Sequence, residues 1–113
     1  MANTFKSNVA ANIVTSGNTV YTCPAVTQTT LIGLTLSNKS AGTVTANVYI
    51  TRSAVDYSII SNAPILSGST LVPIGGDQKV VLQAADVLKV TTSANGSMDV
   101  IASLLEIAEH GTY

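Results

Sequence analysis

Charge is what this sequence has least of. Lysine, arginine, aspartate and glutamate together make up 10% of its 113 residues, well under the ~25% of an ordinary soluble domain. The net charge is −1. No basic patch is available to neutralise phosphates, which argues against nucleic-acid partners bound by charge. Tryptophan is absent, and Phe5, Tyr21, Tyr49, Tyr57 and Tyr113 are all the aromatics. The one histidine, His110, lies near the end of the sequence. Zinc sites take three or four ligands, and neither a cysteine cluster nor a second histidine is there to complete one. A Ser-His-Asp arrangement would have to recruit that same residue from a terminus prone to fraying. The single cysteine, Cys23, has no partner for an internal disulfide. That fits synthesis in a reducing cytoplasm, and beside Pro24 it reads as a buried small hydrophobe. No apolar run approaches membrane-spanning length, so no membrane partner is expected. Residues 1–16 hold one lysine and lack an apolar core of ~7–15 residues, so no signal peptide is expected.

The acids are Asp56, Asp77, Asp86, Asp99, Glu106 and Glu109. Asp77 after Gly75-Gly76 and Asp86 after Ala84-Ala85 read as turn residues that bond to nearby backbone N–H groups. A calcium loop would need several acids at close spacing, and Gly75-Gly76 lacks the lysine and helix of a phosphate loop. Asn38-Lys39-Ser40 and Asn95-Gly96-Ser97 match the glycosylation pattern, which without a signal peptide is accidental. The expectation is no catalytic residue, no cofactor, no metal and no enzyme.

What is present is period-two alternation built from Thr, Val, Ile and Leu. Over residues 43–51, Val44, Ala46, Val48 and Ile50 alternate with Thr43, Thr45, Asn47, Tyr49 and Thr51. Over residues 30–38, Ile32, Leu34 and Leu36 form the matching apolar set. Further strands are expected near 9–15, 19–23, 87–92 and 98–107, with a short strand and an extended crossover within 52–67. Turn signals recur at the ~8–12-residue spacing of all-β domains. Asn95-Gly96 reads as a type I′ hairpin turn joining the last two strands. Pro64 and Pro73 belong on edges or strand starts. The fold class is all-β, an antiparallel β-sandwich, jelly-roll-like, of about eight strands. One domain spans 1–113, with 1–8 an N-terminal arm and 108–113 a C-terminal tail. The expected core is Ile32, Leu34, Leu36, Val44, Val48, Ile50, Val80, Leu82, Leu88, Val90, Val100 and Leu104.

The last strand is apolar on both sides. Met98, Val100, Ala102 and Leu104 make one face, while Ile101, Leu105 and Ile107 lie on the other with Asp99 and Ser103. Ile101, Leu104, Leu105 and Ala108 also fit a helical period, and the turn just before them favours a strand. A sandwich strand has one wet face. The second face must therefore be covered, either by the N-terminal arm with Phe5 and Val9 or by another subunit. Ile101, Leu105 and Ile107 are accordingly candidate interface residues, and a homo-oligomer, a trimer, is expected. Tyr49 and Tyr57 are added as contacts that would serve either a subunit or a shallow sugar site.

Several stretches resemble small virion proteins of tailed bacteriophages: residues 19–25 (TVYTCPA) followed by 29–38 (TTLIGLTLSN), then 63–65, 71–82 (LVPIGGDQKVVL), 86–90 and 99–103. Cys23 departs from the small or β-branched aliphatic expected at its place. The resemblance implies a β-sandwich structural protein of the head, neck or tail. It implies a decoration (cement) role with major capsid or other virion proteins as partners, and a virion location after synthesis in the bacterial host cytoplasm. A neck, tail or fibre component, or a carbohydrate- or receptor-binding module, is the alternative. It brings no catalytic residue.

Overall fold

The computed structural model describes residues 2–74 and 79–108. Among them are nine strands and no helix, arranged as two antiparallel sheets packed face to face. The first sheet runs β1 (Ala2–Ala10), β9 (Met98–Ala108), β3 (Thr27–Asn38), β6 (Thr70–Ile74). On the far side of β3, β7 (Val80–Leu82) pairs further along than β6, so the two share one edge. The second sheet runs β2 (Asn18–Thr22), β8 (Val87–Thr92), β4 (Val44–Arg52), β5 (Val55–Ile65). Taking β6 and β7 as one interrupted strand, this is the order of an eight-stranded jelly roll. Residues 98–108 are strand, as the preceding turn favours.

The core lies between the sheets and follows the period of two. From the first sheet come Leu31, Leu34, Leu36, Ile74, Leu82, Met98, Val100, Ala102 and Leu104; from the second, Val20, Tyr21, Val44, Ala46, Val48, Ile50, Ile65, Leu88 and Val90. Ile13 and Cys23 enter from connections. Val80, expected in the core, is half-buried against its margin.

Ile32 is a correction. In β3 the register slips: Leu31 lies opposite Leu104 and Gly33 opposite Ser103, leaving Ile32 as the extra residue of a bulge. The bulge reverses the parity of the strand. Leu31 before it and Leu34 after it both point inward, and Ile32 is left half-buried.

Other expectations also change. The strand sought near 9–15 ends at Ala10. The chain then turns at Asn12 (φ 56°), and Ile13 is pinned by its N–H to the Met98 carbonyl (2.9 Å) and its carbonyl to the Gly96 N–H (2.9 Å). The presumed arm is β1, a full edge strand beside β9. The crossover within 52–67 is mostly β5, an eleven-residue edge strand that carries Pro64. Asn95-Gly96 is not a hairpin turn, because β8 and β9 belong to different sheets. Only Gly96 of the pair has positive φ (74°), so the turn is not type I′. Instead Asn95 Oδ1 accepts from the Thr15 N–H (2.7 Å), which ties this corner to the β1–β2 connection. Gly75, Gly76 and Asp77, and the tail with Glu109, His110 and Tyr113, fall outside the described residues.

Buried Asn38 organises one end of the sandwich. Its amide donates to the Gly42 and Ile65 carbonyls (both 2.8 Å), and its Oδ1 accepts from the Ser40 N–H (2.9 Å) and hydroxyl (2.7 Å). Every donor and acceptor of the side chain is used, which is why a polar group is tolerated there.

The bulge yields a paired test. Leu31→Ala should destabilise the protein by ~2–5 kcal/mol, as for a fully buried leucine. Ile32→Ala should cost ~1 kcal/mol or less. Urea unfolding of both variants decides, and equal costs would mean β3 keeps unbroken alternation.

Candidate functional site

The two sheets differ on their outer sides. Residues paired across strands share a face, so the registers place each side chain. On the outer side of the first sheet, Phe5 (β1), Leu105 (β9), Thr30 (β3) and Val81 (β7) form one row. Ser7, Ser103 and Gly33 form the next, and Val9, Ile101 and Thr35 the third. Asn3, Ile107 and Gln28 lie beyond the Phe5 row. None of these side chains carries a charge; the next row holds Asp99, Ser37 and Thr70, with Asp99 paired to Lys39 (3.0 Å). Phe5 is 78% exposed, Val9 70% and Ile101 49%, while Leu105 and Ile107 are half-buried.

Strand β1 is inverted relative to an ordinary sandwich strand. Its inner side carries Thr4, Lys6 and Asn8, opposite Glu106, Leu104 and Ala102 of β9. Lys6 reaches Glu106 (3.3 Å), and the Asn8 amide donates to the Val20 carbonyl (3.0 Å) on the neighbouring edge of the second sheet. The apolar residues Phe5 and Val9 face away from the core. The arm therefore does not lie over the outer face of β9, as one account of that face required; it extends the face by one strand.

The outer side of the second sheet is polar. Asn47 donates to the Thr91 hydroxyl (3.0 Å) and accepts from the Asn62 N–H (2.8 Å), the Thr51 hydroxyl donates to Asp56 (2.7 Å), and Lys89 lies beside Tyr49 in the register. Tyr49 sits on this side, half-buried. Its hydroxyl passes 3.6 Å from where a Cβ on Gly17 would stand. Tyr57 is 56% exposed and lies opposite inward-facing Ile50, hence on the other face of the β4–β5 hairpin. The two tyrosines do not form one stacking platform, and neither joins the Ile101–Leu105–Ile107 face. Sequence reading thus found the β9 part of the surface and missed Phe5 and Val9 as part of it. Their phase could be assigned only once their pairing with β9 was known.

The titratable groups are structural. The Tyr21 hydroxyl, buried between the sheets, bonds to Glu106 Oε2 (2.5 Å) and shares a hydrogen bond with the Thr29 hydroxyl (2.8 Å). Burial, then the Glu106 carboxylate, push its pKa well above the ordinary tyrosine value. Cys23 Sγ is buried 3.3 Å from the Thr29 hydroxyl. Buried Asp86 accepts from Arg52 Nε (2.9 Å) and from the Gln83 N–H (2.8 Å). The Arg52 hydrogen bond, helped by Gln83 and opposed by burial, holds its carboxyl below the usual carboxylate range. Asp99 is lowered by the Asn12 N–H and then by Lys39. Among the described residues no cluster of three acidic, histidine or cysteine side chains could hold a metal, no cavity opens on the surface, and no helix is long and apolar enough to cross a membrane.

No protein-family model matches the chain, and no curated protein matches it. Among solved structures, 98% of the chain is similar to part of a chain from the T13 viral particle of infectious bursal disease virus, with TM-score 0.57 and 11% identity. It spans 32% of that chain, about a third of its length. A Bacillus endospore appendage protein, from a family of disulfide-linked pili, is similar over 97% of this chain and 93% of its own, with TM-score 0.54 and 9% identity. These likenesses are likenesses of fold.

Asp86 carries a pH prediction. Because its folded pKa is depressed, its charge stabilises the fold above the unfolded value near ~3.9, and the contribution is lost as pH falls through the folded value. Asp86→Asn should cost ~1–3 kcal/mol at neutral pH. The gap to wild type should narrow in urea titrations run progressively below pH ~4. A gap of constant size would assign the stabilisation to shape and not to charge.

Proposed function

We propose that this chain is a non-enzymatic structural protein of a bacteriophage virion, a head decoration (cement) protein that binds and stabilises the capsid lattice. The observation that carries the reading is the apolar patch on the outer face of the first sheet, Phe5, Val9, Ile101, Leu105 and Ile107. A soluble monomer gains nothing from such a face, whereas a subunit packed among others buries it. Burying each large aliphatic side chain there is worth up to ~1.5–3 kcal/mol. Many copies on a repeating lattice add modest contacts into a durable shell.

Three further points support the reading. The sequence resembles small virion proteins of tailed phages over much of its length. The same fold occurs in a viral particle and in a pilus. Of those two settings the particle suits this chain better, because its one cysteine, Cys23, is buried and ill placed to link subunits by disulfides. A sugar- or receptor-binding role has less support, since Tyr49 and Tyr57 lie on opposite faces of their hairpin.

The test is compositional. Particles purified from infected cells and separated into heads and tails should carry the chain on heads, in copy number proportional to the shell protein. Heads assembled without it should melt at lower temperature. Recovery with tails would move the protein to the neck or tail, and absence from purified particles would overturn the virion reading.

A further inference from the structure

We infer that two copies of this chain pack against each other through the outer faces of their first sheets. The inference rests on the reading of the chain as a structural subunit and adds the identity of the partner on that face. Its relief is the first argument. The Phe5–Leu105–Val81 row and the Val9–Ile101 row are ridges. Between them Ser7, Ser103 and Gly33 form a trough of small residues. Leu105 and Ile101 are four residues apart on β9, ~13 Å at the usual strand rise, so the trough can receive a row of side chains. A ridge of one copy in the trough of the other, and the reverse, is the self-complementary contact of a two-fold dimer.

Gly33 is the second argument. Its φ is not in the left-handed region. A Cβ added there would meet the Ile74 carbonyl oxygen and Ser103 Cβ no closer than 3.9 Å, an ordinary contact. Neither the backbone nor internal packing requires glycine, and glycine weakens a strand interior. What its missing side chain does is keep the trough open toward the outside.

Charge and area select the occupant. Two copies meeting on one face bring identical surfaces together, so a charged face would repel itself. The four central rows of this face hold no charged side chain, and Asp99 in the next row, beside Ser37 and Thr70, is paired with Lys39 (3.0 Å). Four strands ~4.8 Å apart and ~30 Å long, the row of Asp99 included, cover roughly 600 Å² per copy. That is ~1,200 Å² in all, enough for a specific but modest interface. Sheet faces meet in pairs, so the unit is a dimer in place of the trimer expected from sequence.

Sedimentation velocity of the purified full chain across the micromolar range tests this, with Phe5→Asp and Gly33→Val as variants. Wild type should sediment as a concentration-dependent dimer. Each variant should weaken it about tenfold or more while keeping the β circular-dichroism spectrum. Phe5 is too exposed for its loss to unfold the protein, and valine at 33 suits a strand, so Gly33→Val should melt no lower than wild type. A wild-type monomer at every concentration, a trimer, or a dimer untouched by both variants would overturn the inference. A monomer that is nonetheless found on purified heads would leave the virion role standing and this inference refuted. A dimer that responds to both variants but is missing from particles would do the reverse.

Discussion

The parity of β9 is the constraint on which the rest of the structure depends. This strand lies between β1 and β3, with both backbone edges paired. Its even-numbered residues from Met98 to Leu104 are fully buried, and they set which side of every neighbour faces inward. Opposite Leu104 and Ala102, β1 has to place Lys6 and Asn8 on the inner side of the sheet, where Lys6, at the margin, stays exposed. It compensates with the Lys6–Glu106 pair and the Asn8–Val20 hydrogen bond. The same parity drives Phe5 and Val9 outward beside Leu105 and Ile101. A one-residue slip of β1 would hide Phe5 and Val9 but strand Lys6 on the apolar face and undo both polar contacts.

Much of the fold could be read from alternation alone, because apolar period two in a charge-poor chain leaves few other solutions. Val44, Val48 and Ile50, and likewise Leu88 and Val90, point where their spacing says. The failures share one cause. A bulge inserts a residue without changing composition, and Ile32 is as apolar as the leucines around it, so the one local mark of the phase change is the neighbouring Gly33, since glycine inside a strand often accompanies a bulge. Asn95-Gly96 misled for a related reason. The dipeptide marks a reversal, but whether the chain returns within one sheet or crosses to the other depends on contacts from Ile13 and Thr15, some eighty residues away. The candidate face was half legible. Ile101, Leu105 and Ile107 sit on a strand that is apolar on both sides and announces a second contact; Phe5 and Val9 join them only through pairing.

Polar groups inside the sandwich do architectural work. Asn38 closes one end, Asp86 with Arg52 closes another corner, and Tyr21 bridges the sheets to Thr29 and Glu106. Each has its partners, and none leaves an acid, base or nucleophile poised toward solvent. A carboxylate bound by guanidinium and backbone, or a phenol whose ionisation is suppressed by burial, has been withdrawn from proton transfer near neutral pH.

The treatment of the sheet edges bears on the proposed association. Exposed edges are the ordinary route by which β proteins aggregate, and natural ones blunt them with proline, bulges and inward-pointing charge. Here β5 carries Pro64 and a shifted register, β6 carries Pro73 and another shift, β2 is bulged at Val20, and β1 turns Lys6 inward. These four edges are thus guarded, yet the four central rows of the first sheet's outer face carry no charge. Edge pairing propagates without limit, whereas one face meeting one face stops at two. A chain with so little charge to keep copies apart would aggregate if its edges were open. With these edges closed, the low charge leaves the apolar rows of the first sheet as the surface on which the proposed packing of copies rests.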